Sequence, residues 1–186
     1  MESLQKGLVL INTGTGKGKT TASLGTAIRA WGDGQRVLIL QFIKGAWKYG
    51  ELKAVEALKS IDGRIEIRPM GDGFVFHNKN DQDDEETFKK KALLAQKAWT
   101  MVKDEVMNGN LDLVILDEAN YAIHFGMLSV EEVVNLIKNR PEHLNIILTG
   151  RYAPQELITL ADTVTEMTLV KHAYQQGIRA RKGIEY

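Results

Sequence analysis

Apolar positions alternate along the chain between two rhythms. Short, nearly continuous apolar runs occur at 8–12, 36–42 and 112–116, with a further core at 146–148. Runs of this length without polar interruption predict strands of a parallel sheet covered on both faces. Between them, apolar residues recur at helical spacing. Residues 18–31 place Ala22, Leu24, Ala27 and Ile28 on one predicted face, and the Gly32-Asp33-Gly34 cluster stops the helix. A short helix at 51–60 and a short strand at 64–68 follow. Residues 84–107 predict a long helix carrying Phe88, Leu94, Ala95, Ala98, Trp99 and Val102. Helices at 130–138 and 155–160 and a strand at 163–168 complete the pattern, and the tail 171–186 reads as polar and irregular. The long connection 69–83 is rich in Gly, Asn and Asp, and loops of that length inside a compact domain are usually functional or disordered. The acidic run Asp81 to Glu86 favours the start of the helix that follows.

Repeated strand–helix units predict an α/β domain spanning 1–186, with a mostly parallel central sheet and helices on both faces. Ligands in such folds bind beyond the carboxyl ends of the strands. The segment Thr13-Gly14-Thr15-Gly16-Lys17-Gly18-Lys19-Thr20-Thr21 sits at such an end, between the first strand and the first helix. Its glycines allow several backbone N–H groups to point at one polyphosphate. Lys19 is placed to reach the β- and γ-phosphates and Thr20 to bind Mg²⁺. These features predict a P-loop NTPase (RecA-like) three-layer fold. The spacing departs from G-x-x-x-x-G-K-[ST] in one respect: Thr13 stands where the first glycine belongs. A second acidic signature, Leu116-Asp117-Glu118, ends the most apolar strand. Asp117 is expected to hold the metal, and Glu118 to orient water, bind metal or contact the ribose.

Other candidates are less specific. Gly73-Phe74-Val75-Phe76-His77 places two aromatic residues in a polar loop, where they form either an apolar wall for a flat ligand or a flap over the core. Arg151, at a strand's carboxyl end, is placed to reach phosphates, and both it and Arg29, in the first helix, equally suit surface ion pairs. His124, His143 and His172 show no metal spacing.

Composition narrows the function. Of 186 residues, 24 are Lys or Arg and 24 are Asp or Glu, a balance that gives no basic footprint for nucleic acid. The absence of cysteine excludes disulfides, thiolate metal sites and cysteine nucleophiles. No apolar run approaches the roughly 20 residues of a membrane span, and Met1 to Lys6 lack the apolar core of a signal peptide. A cytoplasmic enzyme that binds neither membrane nor nucleic acid is expected.

The motifs together resemble the ATP:corrinoid adenosyltransferases of the CobA/BtuR/CobO type. The matching segments are Gly14-Thr15-Gly16-Lys17-Gly18-Lys19-Thr20-Thr21, Gly25-Thr26-Ala27-Ile28-Arg29-Ala30, Gln41-Phe42-Ile43-Lys44-Gly45, Leu116-Asp117-Glu118, Thr149-Gly150-Arg151, Leu160-Ala161-Asp162 and Lys171-His172-Ala173. The family's loop is typically G-N-G-K-G-K-T-T, which accounts for the displaced glycines. The resemblance implies attack of cobalt(I) of a reduced corrinoid (cobalamin or cobyrinic acid a,c-diamide) on the 5′ carbon of ATP, with release of triphosphate. It also implies Mg²⁺ or Mn²⁺, a homodimer and an electron-donating reductase such as a flavoprotein. By the same match, residues 14–21 hold ATP, and Thr20, Asp117 and Glu118 form the metal site. Lys19, Arg29, Glu118 and Arg151 serve the transfer. In the family a Phe-x-Trp pair in the long loop excludes the lower axial ligand of cobalt; the pair here is Phe74 and Phe76. A RecA-like ATPase and a non-catalytic sensor of ATP or corrinoid are the competing readings.

Overall fold

A computed structural model describes residues 6–44, 49–71 and 85–185. Six strands form one all-parallel sheet in the order β3-β2-β4-β5-β1-β6. They are β1 (Val9–Thr13), β2 (Val37–Gln41), β3 (Ile65–Pro69), β4 (Leu113–Asp117), β5 (Asn145–Thr149) and β6 (Thr163–Glu166). The helices are α1 (Lys19–Gly32), α2 (Gly50–Asp62), α3 (Glu85–Met107), α4 (Ala119–His124), α5 (Val130–Asn139) and α6 (Gln155–Leu160). The α/β class and parallel sheet expected from the apolar rhythm are both present. The runs Val37–Gln41 and Leu113–Asp117 are buried at every position, because β2 and β4 lie inside the sheet with helices on both faces. All four residues of β6 are exposed, consistent with its place at the edge.

Two apolar clusters sandwich the sheet. On one face, Ala27 and Ala30 of α1 and Val55 of α2 pack against Val37, Ile39, Leu113, Ile115 and Ile147. On the other, Ala95, Ala98, Trp99 and Val102 of α3, Val133 and Ile137 of α5 and Leu157 of α6 cover Leu38, Leu40, Val114, Leu116, Ile146 and Leu148. Ser129 caps α5, its Oγ accepting from Glu132 N–H at 3.3 Å.

The predicted inner face of α1 needs correction. Its buried residues are Lys19, Ser23, Ala27 and Ala30, whereas Ile28 is 49% exposed and Ala22 faces solvent. Ser23 takes an inward position because its hydroxyl is satisfied there, donating to Lys19 O at 3.0 Å and accepting from Asn12 Nδ2 at 2.8 Å. Helix α4 was absent from the sequence prediction. The tail, read as irregular, contains one 3-10 turn at Ala173–Gln176, capped by His172, whose Nδ1 accepts from Tyr174 N–H at 3.1 Å.

Neighbouring β1 and β5 send their helices to opposite faces, α1 to one and α6 to the other. A crevice opens beyond the carboxyl ends of two such strands. The loop from Gly14 to Gly18 and the residues after Thr149 border it.

Candidate active site at the phosphate loop

The crevice is a cleft of about 910 Å³, within the range of small-molecule sites. Residues 15–21 form one wall, and Ile43, Lys44, Gly50 and Glu51 contribute to the lining. Glu118, Tyr121 and Arg151 line the cleft beyond β4 and β5, and Leu169, His172 and residues 183–185 of the tail also border it.

The loop's shape depends on contact with the chain after β6. A Cβ at Gly16 would lie 2.7 Å from Met167 O, and one at Gly14 2.5 Å from the same oxygen. Gly16 N–H donates to Met167 O at 2.6 Å, and Met167 N–H donates to Thr13 O at 2.9 Å. Gly14 and Gly18 have φ of 96° and 109°, a region that L side chains rarely adopt. Gly18 ends the loop as the residue before α1, so the free N–H groups of the helix start face the cleft. Lys19 is buried beneath the loop, its ammonium donating to Gly14 O at 2.8 Å and Gly16 O at 2.6 Å. Burial lowers its pKa from the ordinary value; Glu118 and Asp117 oppose this, and Arg151 adds to it. Thr15, Lys17, Thr20 and Thr21 border the same space. Thr21 Oγ1 donates to Gly18 O at 3.1 Å, and Lys17 pairs with Glu185 of the tail.

Asp117 is fully buried at the end of β4 and gathers donors from three elements. Its Oδ1 accepts from Thr20 Oγ1 at 2.8 Å and Thr149 Oγ1 at 2.6 Å. Its Oδ2 accepts from Gln41 Nε2 at 3.0 Å, and Lys44 Nζ lies 3.8 Å away. The register pairs Gln41 with Asp117, and that pairing brings the amide to the carboxylate. Gln41 Oε1 is buried and has no protein donor. Thr20, which lines the cleft, and Asp117 and Gln41, buried directly behind it, thus offer hard oxygen atoms on that side. Such a set suits Mg²⁺, which takes one or two carboxylates and completes its shell with water and phosphate. Among the described residues there is no group of three or more His, Asp or Glu that could hold a metal alone.

Glu118 adopts φ 62°, a conformation that costs a non-glycine residue about 1–3 kcal/mol and concentrates at functional sites. Its N–H donates to Thr149 Oγ1 at 2.9 Å. Burial, and then the charge of Asp117, push its carboxyl up to about 7 against the pull of Lys19, Lys44 and Arg151. Near neutral pH this group can gain or lose a proton.

The structure therefore brings Gly14, Thr15, Gly16, Lys17, Gly18, Lys19, Thr20, Thr21, Asp117, Glu118 and Arg151 to one region. It does not bring Arg29 there. Arg29 occupies the last turn of α1, about 15 Å along the helix from Lys19 at 1.5 Å per residue. It lines a separate cleft of about 580 Å³ with Leu8, Leu113 and Asn145, at the amino ends of the strands. Within this chain Arg29 therefore stands apart from the loop, because the helix carries it toward the amino ends of the strands. Phe74 and Phe76 lie outside the described residues. Sequence reasoning assigned no role to Gln41, Lys44, Thr149, Glu51 or the tail. Gln41, Lys44, Thr149 and His172 stood in matching segments, and the signal for a role was positional: each of these residues lies at or just beyond the carboxyl end of a strand, or faces the cleft once the sheet is assembled.

No helix among the described residues is long and apolar enough to cross a membrane. The crystal structure of the flagellar accessory protein FlaH from Methanocaldococcus jannaschii aligns with a TM-score of 0.56 at 15% identity, covering 86% of this chain and 70% of that one. At that identity the likeness concerns the fold alone. The corrinoid adenosyltransferase of Escherichia coli K12 is 37% identical over 182 residues, 98% of this chain and 87% of that protein. The corrinoid adenosyltransferase CobA of Salmonella typhimurium matches with the same identity and coverage, and the corrinoid adenosyltransferase of Pseudomonas aeruginosa is 37% identical over 183 residues, 98% of this chain and 85% of that protein. The family model described as ATP:corrinoid adenosyltransferase BtuR/CobO/CobP matches residues 5–186. With a match over nearly its whole length, the chain belongs to the ATP:corrinoid adenosyltransferase family, a family of transferases.

Proposed function

We propose that this protein transfers the 5′-deoxyadenosyl group of ATP to cobalt(I) of a reduced corrinoid and releases inorganic triphosphate. The cobalt lone pair forms the Co–C5′ bond, the C5′–O bond breaks, and its electron pair leaves on the triphosphate, so cobalt is formally oxidised to the +3 state. Cobalt(I) is already a strong nucleophile, so the protein's task is to position the 5′ carbon and stabilise a highly charged leaving group. The observation that carries this reading is the convergence of the loop amides, the buried Lys19 and the Thr20–Asp117 pair on one cleft.

In this reading residues 14–21 hold the triphosphate of ATP, and Lys19 and Arg151 carry positive charge beside it. Thr20 and Asp117 hold Mg²⁺ or Mn²⁺, which would neutralise charge on the phosphates; Gln41 fixes the Asp117 carboxylate, and its unpaired Oε1 suits a metal-bound water. Glu118 contacts the ribose or the metal. Phe74 and Phe76 face the corrinoid, cobalamin or cobyrinic acid a,c-diamide, and exclude its lower axial ligand, which eases reduction of cobalt(II). We further propose a cytoplasmic homodimer, each chain a single domain, supplied with electrons by a reductase such as a flavoprotein.

The test mixes protein, ATP, Mg²⁺ and chemically reduced cobalamin. Adenosylcobalamin and triphosphate should appear together, and absence of both would end the reading. Phosphate release without corrinoid would instead select hydrolysis with Glu118 polarising water, a reading favoured by its buried carboxyl beside Asp117.

A further inference from the structure

Lys44 is a cation of the cleft with an unusual placement. It follows β2, where the backbone is held from two sides: Phe42 N–H donates to Asp117 O at 3.1 Å, and Gly71 N–H donates to Lys44 O at 3.3 Å. A Cβ at Gly71 would lie 2.5 Å from Ile43 O, so this segment is tightly packed as well as hydrogen-bonded. The Lys44 ammonium donates to Glu51 Oε1 at 2.9 Å, stands 3.8 Å from Asp117 Oδ2, and lies 4.9 Å from the centre of the Tyr49 ring. The side chains of Lys44 and Glu51 are only 14% and 22% exposed. Desolvating such a pair is costly, and a buried ion pair is weak evidence of a stabilising role. Both residues line the cleft. Lys19 is anchored under the loop by two carbonyls and Lys17 pairs with the tail, whereas Lys44 reaches the Thr20–Asp117 corner from a different element.

We propose that Lys44 is a catalytic residue whose ammonium moves from Glu51 to the triphosphate as the C5′–O bond breaks. The inference rests on the adenosyl-transfer reading above. The departing oxygen gains a full negative charge in that step, and a preformed cation beside it stabilises the transition state more than bound ATP. Glu51 holds the ammonium in place until the anion develops. No proton transfer is required: the electron pair of the broken bond stays on the leaving oxygen, and Lys44 remains an ammonium throughout.

The experiment combines transfer kinetics with displacement of a fluorescent ATP analogue by inorganic triphosphate, using the whole chain with Mg²⁺. Lys44→Gln should lower kcat for adenosyl transfer about a hundredfold, as loss of one charge-stabilising donor does. It should weaken triphosphate binding at least tenfold and change the affinity for the ATP analogue less. Lys44→Arg should restore most of the triphosphate binding. Glu51→Gln, which frees the ammonium, should tighten it. Wild-type triphosphate affinity in Lys44→Gln overturns the proposal. If Lys44→Gln does not fold, Glu51→Gln decides, and unchanged triphosphate affinity there overturns it equally. Failure of the wild-type protein to form adenosylcorrinoid while Lys44→Gln still loses triphosphate binding would remove the transfer reading and leave Lys44 as an anion-binding group.

Discussion

Replacing Gly16 by alanine tests whether the cradle is shaped by what it leans on. The new Cβ would stand 2.7 Å from Met167 O and 2.9 Å from the carbonyl carbons of Met167 and Thr168, all backbone atoms that cannot swing aside. Gly16 does not have a left-handed φ, so the effect is steric rather than torsional. Forcing such a contact costs about 1–3 kcal/mol, and separating the loop from Met167 also loses the hydrogen bond from Gly16 N–H, worth about 1 kcal/mol. A total near 3 kcal/mol lowers Tm by roughly 10 °C at about 2–4 °C per kcal/mol for a domain of this size. Gly25→Ala is the internal control. Gly25 lies on the exposed side of α1, and a methyl group added there would meet nothing within 4 Å, so alanine should raise stability by about 1 kcal/mol through helix propensity. Thermal melts followed by circular dichroism, with titration of a fluorescent ATP analogue, measure both effects. A Gly16→Ala protein that melts with the wild type and binds the analogue equally well would refute the reasoning, as would equal losses in both variants.

Glu118→Gln should show a pH-dependent gain. The native carboxyl, moved from 4.5 to about 7, holds a proton that the unfolded chain has released, so its contribution to stability falls as pH rises through that window. The stability gap between the variant and the wild type should widen by about 3 kcal/mol from below pH 4.5 to above pH 7 in urea unfolding, and a constant gap would count against the buried site. Thr149→Val removes one donor to Asp117 and the acceptor for Glu118 N–H, and should cost about 2 kcal/mol in the same assay, with Thr149→Ser close to wild type. Phe76→Ala should slow turnover coupled to enzymatic reduction of cobalt(II) more than the reaction of pre-reduced cobalt(I). Equal losses in the two assays would assign Phe76 to support of the fold.

Much of the fold was legible because β2 and β4 are apolar at nearly every position and the loop between β1 and α1 carries its own punctuation. Strand and helix limits fell within about two residues where a run of one rhythm ended sharply. Helix α4 escaped because it starts directly after Glu118 at φ 62°, with no Gly or Pro to separate it from β4. The inner face of α1 differs from Ala22, Leu24, Ala27 and Ile28 because apolar spacing passes over Ser23, which two hydrogen bonds satisfy in the interior. In the site, Asp117 and Lys19 were visible as motif residues. Gln41, Lys44 and Thr149 stood in matching segments without a role, since their roles arise from strand register and from segments far apart in the chain. Arg29 shows the converse: a basic residue in a matching segment says nothing about which end of its helix it occupies.

The contact of Gly14 and Gly16 with Met167 has a consequence for synthesis. The glycine-rich segment leaves the ribosome early, yet the residue it rests on follows the last strand of the sheet. Until β6 docks beside β1, the loop lacks the backbone that sets its curvature, and closing that contact spans most of the chain. A nascent chain or proteolytic fragment ending before Met167 would carry every residue of the phosphate-binding motif and still lack a formed cradle. Nucleotide binding by this protein is therefore a report on completion of the whole sheet: the motif is finished at Thr21, the backbone support of its loop only at Met167.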